Sequence, residues 1–162
     1  MSSIDIGSPA INRASYTFPG GTSVLVDNPA NETGIISTIQ VYAFADAGGL
    51  KTGTFYGSSG SYTCRSFAVL GTVAAGAVRT FTGLSISVTV GDLLGCYHSS
   101  GNLEMAKVGS AGAYNAAGDL FTGTHSYVFY SGDTISIYGS GATPPTGQPG
   151  SSAAKVVVTG LI

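Results

Sequence analysis

At 162 residues the chain has the length of one domain, long enough to bury a core without a metal or disulfide framework. Charged residues are only 9% of it while 43% are hydrophobic, which excludes disorder and implies a Ser, Thr, Gly and Asn surface with little self-repulsion. The net charge is −2, and the six basic residues, Arg13, Lys51, Arg65, Arg79, Lys107 and Lys155, are scattered, which excludes a nucleic-acid footprint.

The chain opens on MSSIDIGSPA, which lacks both the basic start and the apolar run of a secretory signal. No later apolar run approaches the ~20 residues of a spanning helix, so no membrane partner is expected. Ser23 to Asp27 predicts a short strand stopped by Asn28-Pro29, since proline cannot donate to a ladder. Asn31-Glu32-Thr33 matches a glycosylation sequon but reads as a polar loop without a secretion signal. Ile35 to Ala45 predicts a long strand ended by Asp46-Ala-Gly-Gly49, and Leu50 to Tyr56 a second one closed by Gly57-Ser-Ser-Gly60. Tyr62 to Val73 and Val78 to Phe81 follow.

The clearest segment is Leu84 to Val90, where Leu84, Ile86, Val88 and Val90 alternate with Ser85, Ser87 and Thr89. That period of two places one strand face in a core. Gly91-Asp92 predicts a turn, and Leu93 to Tyr97 the neighbouring antiparallel strand. Beyond Leu103 to Val108, the Gly/Ala-rich stretch Gly109 to Gly118 reads as a loop. His125 to Tyr130 and Thr134 to Tyr138 complete the central pattern. A faint echo relates Phe81-Thr-Gly83 and Gly91-Asp92 to Phe121-Thr-Gly123 and Gly132-Asp133, as two equivalent hairpins would. With nine or ten short strands and no helical period, the fold class is all-β, a two-sheet antiparallel sandwich of jelly-roll type over residues 1–140.

Residues 141–152 form a Pro/Gly/Ser linker, and residues 153–162 end the chain as an apolar strand. A lone strand on a tether must pair, because its backbone groups and valines otherwise stay unsatisfied. It either fills an edge of its own domain or adds to a neighbouring subunit. Lys155, Val156, Val157, Val158 and Leu161 are the expected assembly residues, and other copies of the chain the expected partner.

Little here carries catalysis, and no enzyme is expected. His98 and His125 have no metal-like spacing to each other or to an acid, and a site combining them with Glu104 has no motif behind it. There is no G-x-S-x-G, and only Glu32 and Glu104 offer glutamate carboxylates. Asp92, Asp119 and Asp133 each follow a glycine and read as turn caps rather than a Ca²⁺ loop. No cofactor is implied. Cys64 and Cys96 lie in predicted strands, as two buried thiols or as one bridge between sheets. Ligand binding is the alternative to assembly. Nine tyrosines can supply amphipathic platforms for a glycan or cell-surface receptor, with Tyr114 in the presumed loop and Tyr56 and Tyr130 on strands as candidates.

Four segments, Ile4 to Arg13, Gly53 to Gly57, Thr80 to Ile86 and Gly91 to Tyr97, resemble small β-sandwich proteins of unassigned function from phage and environmental sequences. They touch about the first two thirds of the chain. The resemblance implies a structural protein of a virion or extracellular surface, and it brings no catalytic residue with it. The final strand lies outside the resembling pattern.

Overall fold

The computed structural model describes residues 1–145, so the expected assembly residues, Lys155 to Val158 and Leu161, lie outside the described residues. Those described are all-β, with twelve strands: β1 (Ser3–Gly7), β2 (Ser15–Tyr16), β3 (Gly21–Leu25), β4 (Gly34–Ser58), β5 (Ser61–Val73), β6 (Val78–Phe81), β7 (Ile86–Val88), β8 (Leu93–Tyr97), β9 (Ser100–Ala117), β10 (Thr124–Ser126), β11 (Val128–Ile135) and β12 (Ile137–Ala142). Every pairing is antiparallel, and the main path runs β1-β12-β4-β8-β3-β9-β11.

The pairings fall into two groups that share β4. Its first half pairs with β12 on one side and with β6 and β7 on the other. Its second half pairs with β5 and β8. The 25-residue strand replaces two expected ones. Asp46-Ala-Gly-Gly49 does not end it but bends it through register shifts, with Gly49 at φ +61° supplying a backbone state that side chains resist.

A second expectation is also corrected. β7 and β8 are not neighbours, because β7 pairs with the first half of β4 while β8 lies between β4 and β3. Gly91-Asp92 is a corner between the groups rather than a hairpin turn. Gly132-Asp133, its supposed counterpart, is a bulge inside β11, with Gly132 at φ +84°. The glycines of Phe81-Thr-Gly83 and Phe121-Thr-Gly123 both turn to positive φ, as Gly91 and Gly132 do, but the two Gly-Asp pairs sit in different settings and the hairpin echo is lost. β12 runs on to Ala142, two residues into the expected linker.

Two apolar clusters hold these strands. The larger takes Ile4 and Ile6 from β1, Ile36, Ile39, Val41 and Leu50 from β4, and Leu25, Leu94, Leu103 and Ile137, so both strand groups contribute to one core. The smaller lies on the opposite face of the second group, under the segment that joins β9 to β10. Val24 and Leu25 are both fully buried and belong to different clusters, as successive residues of a strand covered on both faces must. Phe121 anchors the covering segment, its ring 5.2 Å from Phe55 and 5.4 Å from Phe67. The cysteines are free thiols, Cys96 in the larger cluster and Cys64 packed against the smaller.

Candidate functional site

A cleft of about 340 Å³ lies between the Tyr16–Gly21 segment and residues of β9 and β11. Its walls include Tyr16, Phe18 and Pro19 on one side, Ser23, His98 and Asn115 at the base, and Lys107, Tyr130 and Asp133 along β9 and β11. The volume lies at the lower end of small-molecule pockets, ~300–1,000 Å³.

The rim is built from a tightly pinned loop. The Thr17 N–H donates to the Leu103 carbonyl, and its own carbonyl accepts from Asn102 Nδ2 at 2.6 Å. Three residues on, the Gly20 N–H donates to the His98 carbonyl and the Gly20 carbonyl accepts from the Gly118 N–H, both at 2.8 Å. Both ends are thereby fixed, and Phe18 between them stands 72% exposed. Tyr16 stacks on Phe44 at 4.7 Å and meets Phe18 edge-on at 5.7 Å. Three partly exposed aromatic rings thus make one platform beside the cleft. An exposed Phe held this rigidly contributes little to folding, since most of its surface stays in water.

His98 lies below the loop, buried, and its chemistry is structural. Its Nδ1 meets the Ser100 carbonyl at 3.2 Å and its Nε2 the Thr17 hydroxyl at 2.8 Å. Because the Ser100 carbonyl can only accept, the neutral ring carries its hydrogen on Nδ1, and Nε2 accepts from the Thr17 hydroxyl, whose oxygen in turn takes the Leu103 N–H. Burial lowers the imidazole's affinity for a proton, with the Ser100 carbonyl opposing. His125 stands elsewhere, on β10, its Nε2 2.6 Å from the Thr122 carbonyl. Glu104 is buried and accepts the Arg13 N–H. The two histidines and Glu104 therefore do not converge, and among the described residues no three His, Cys, Asp or Glu side chains are placed to hold a metal ion.

The cleft's polar groups are less committed. Asn115 Nδ2 donates to Ser23 Oγ at 2.8 Å, leaving its Oδ1 without a protein donor among the described residues. Lys107, Tyr130 and Asp133 make no side-chain hydrogen bond there either, and Lys107 and Asp133 stand too far apart for an ion pair. Burial raises the Asp133 carboxyl above its usual range, with Lys107 pulling the other way.

The three candidate tyrosines are not brought together. Tyr130, about half exposed, lines this cleft. Tyr56 lines a second, shallower depression, where the Arg65 guanidinium lies 4.6 Å over its ring. Tyr114 is not in a loop, since the Gly/Ala-rich stretch belongs to β9. Half-buried, it joins a run of rings 5.0 Å from Phe129 on one side and 5.0 Å from Tyr62 on the other.

A different feature marks the outer edge of β11. Its one partner strand is β9, and among the described residues no backbone or side-chain hydrogen bond reaches its other edge. Val128, Phe129 and Tyr130 are 61%, 46% and 49% exposed there. The opposite end of the path is different, because the Asn31 side chain accepts from the Asp5 N–H and donates to the Ser3 carbonyl, and the Gly7 N–H donates to the Asn28 carbonyl. β1 is thus capped, while β11 is open.

The fold and site together define an all-β protein with a pinned aromatic cleft and an unpaired outer edge on β11. Compared with protein-family models, curated proteins and solved structures, the chain finds no match in any of the three.

Proposed function

We propose that this protein is a non-enzymatic structural subunit that self-assembles, as a virion component, decoration protein or filament subunit in an extracellular structure. In this reading the two strand groups are the layers of a jelly-roll-type sandwich joined through the bend of β4. The observation that carries the proposal is the open β11 edge. Natural sheets blunt an edge with charge, proline, a β-bulge or a covering segment, and the bulge of β11 comes only after Tyr130. Val128 to Gly132 has neither charge nor proline, and the described chain lays nothing over it. The occupant we assign is the terminal apolar segment Lys155 to Leu161 of a second copy, whose valines suit an exposed edge that carries Val128 and Phe129. A tether of about a dozen residues reaches up to ~40 Å, enough to leave its own subunit. A chain with 9% charged residues adds little electrostatic repulsion to such contacts.

Light scattering behind size exclusion tests this on three proteins: the full chain, a chain ended at Pro145, and the full chain carrying Val128→Lys. The full chain is expected to run as a multimer, and both variants as smaller species with unchanged circular dichroism. A monomeric full chain, or one particle mass for all three, overturns the proposal.

A further inference from the structure

We propose that the cleft between the Tyr16–Gly20 loop and the β9 and β11 strands is a binding site for a neutral saccharide. Three observations converge on that class. First, the platform of Tyr16, Phe18 and Phe44 and the half-exposed Tyr130 give flat apolar faces of the kind that pack against the C–H face of a sugar ring. Phe18 is presented by a loop hydrogen-bonded on both sides of it, so little rotational freedom is lost when a ligand docks.

Second, the hydrogen-bonding groups are of both kinds and uncommitted. Asn115 Oδ1 and the Asp133 carboxylate accept, the Lys107 ammonium donates, and the Tyr130 hydroxyl does either. A polyhydroxylated ring answers such a set, since each of its hydroxyls both donates and accepts. A purely apolar ligand would leave the less exposed of these groups, Asn115 and Asp133, covered without a partner.

Third, the charges cancel. Lys107 and Asp133 are the two charged residues lining the cleft, and the neutral His98 has both ring nitrogens engaged. Nothing in the lining therefore selects a net anion or cation. The inference does not rest on assembly: the Tyr16–Gly20 loop lies off β11, and of the exposed β11 residues Val128, Phe129 and Tyr130 only Tyr130 lines the cleft.

The probe is a panel of methyl glucoside, galactoside and mannoside, N-acetylglucosamine and their short oligomers, with glucuronic acid and glucosamine as charged controls. Binding is read by saturation-transfer NMR and calorimetry on the full chain and on the chain ended at Pro145. At least one neutral sugar is expected to bind both, and Phe18→Ala and Tyr130→Ala to weaken it about five- to tenfold, the worth of one aromatic contact. Both side chains are exposed, so the melting temperature is expected to stay put. Asp133→Asn keeps an acceptor and is expected to weaken binding less than Asp133→Ala. No binding by any neutral sugar, binding of the charged controls alone, or affinity unmoved by both aromatic variants overturns the inference.

Discussion

The corner at Gly91-Asp92 carries the chain from one strand group to the other, and its strength follows from one buried carboxylate. Asp92 is 3% exposed and accepts from Arg65 Nε at 2.6 Å, from Arg65 Nη2 at 3.0 Å and from the Thr89 N–H at 2.9 Å. Its backbone also closes the corner, bonding to Thr89 and Ala30. Arg65→Met strands this carboxylate with a single donor. Losing one partner of a fully buried pair costs about 3–5 kcal/mol; the Arg65 side chain is 32% open to water, so about 2–3 kcal/mol is expected here. Asp92→Asn keeps the shape but turns an amide donor or a weaker acceptor toward the guanidinium, at a similar cost. The double variant removes the mismatch both singles create, so the two losses fall short of adding by at least about 1 kcal/mol. For a chain of this length each kcal/mol moves the melting temperature by about 2–4 °C, so either single change lowers it by roughly 4–12 °C. Urea unfolding of the four proteins at neutral pH measures the cycle. A coupling below about 0.5 kcal/mol, the scatter between independent sites, would refute the view that the ion pair holds the corner.

Two further outcomes follow from burial. The His98 imidazole titrates below its usual value of 6.5 in the folded state because burial disfavours the cation. The unfolded chain therefore binds the extra proton first, and stability falls as pH drops below about 6.5 and through the folded value. His98→Gln removes that proton uptake, so the stability advantage of the parent over the variant is expected to shrink between about pH 7.5 and pH 5. A constant difference would mean that His98 is not held neutral. Burial likewise pushes the Cys64 thiol up to about 11 and the Cys96 thiol up to about 12. Both stay protonated near neutrality, so iodoacetamide is expected to label neither at an appreciable rate in the native protein and both in denaturant. Rapid native labelling of Cys96, the fully enclosed one, would contradict its place in the core.

Much of the fold was legible because strand periodicity is a local signal. Ile86 and Val88 are buried while Ser87 is exposed, as their alternation requires, although the strand stops at Val88 and Val90 is 59% exposed; Val78–Phe81 and Leu93–Tyr97 have the bounds their flanking turn residues suggest. Partner choice was not legible, since β7 and β8 both find β4 rather than each other. The glycines misled most. Asp46 to Gly49 has turn composition, yet its neighbours keep pairing and the glycines serve a bend. Gly109 to Gly118 has low strand propensity, yet all but its last residue belongs to β9, and Ala113 to Asn115 are paired on both sides, by β3 and β11. Gly112 lies against the Phe129 ring, where a Cβ would overlap it, so a close approach selects glycine there. Of the cleft, Tyr130 alone was singled out from sequence as a ligand-binding residue; His98 and Asp133 were read as other things. The better signal was Tyr16-Thr-Phe-Pro-Gly20, two aromatics closed by a Pro-Gly turn, with Phe44 standing among alanines on β4.

The open edge and the cleft meet on one strand without competing for the same atoms. Along β11 successive side chains turn to opposite faces, so Phe129 joins the Tyr114 and Tyr62 rings while Tyr130 faces the cleft. A strand added at the edge uses the outward N–H and C=O groups, which lie in the plane of the sheet and belong to neither face. Assembly in this way would leave each cleft intact and repeat it once per subunit. That arrangement matters energetically, because a shallow cleft with three aromatic rings and a few hydrogen-bonding partners is expected to hold a single sugar weakly. Repetition on one particle turns later binding events into intramolecular ones, and avidity then exceeds the single-site affinity by about 10²–10⁴ when the spacing fits. A weak site is thus what a repeated subunit needs, and the oligomer would be the unit on which saccharide recognition acts.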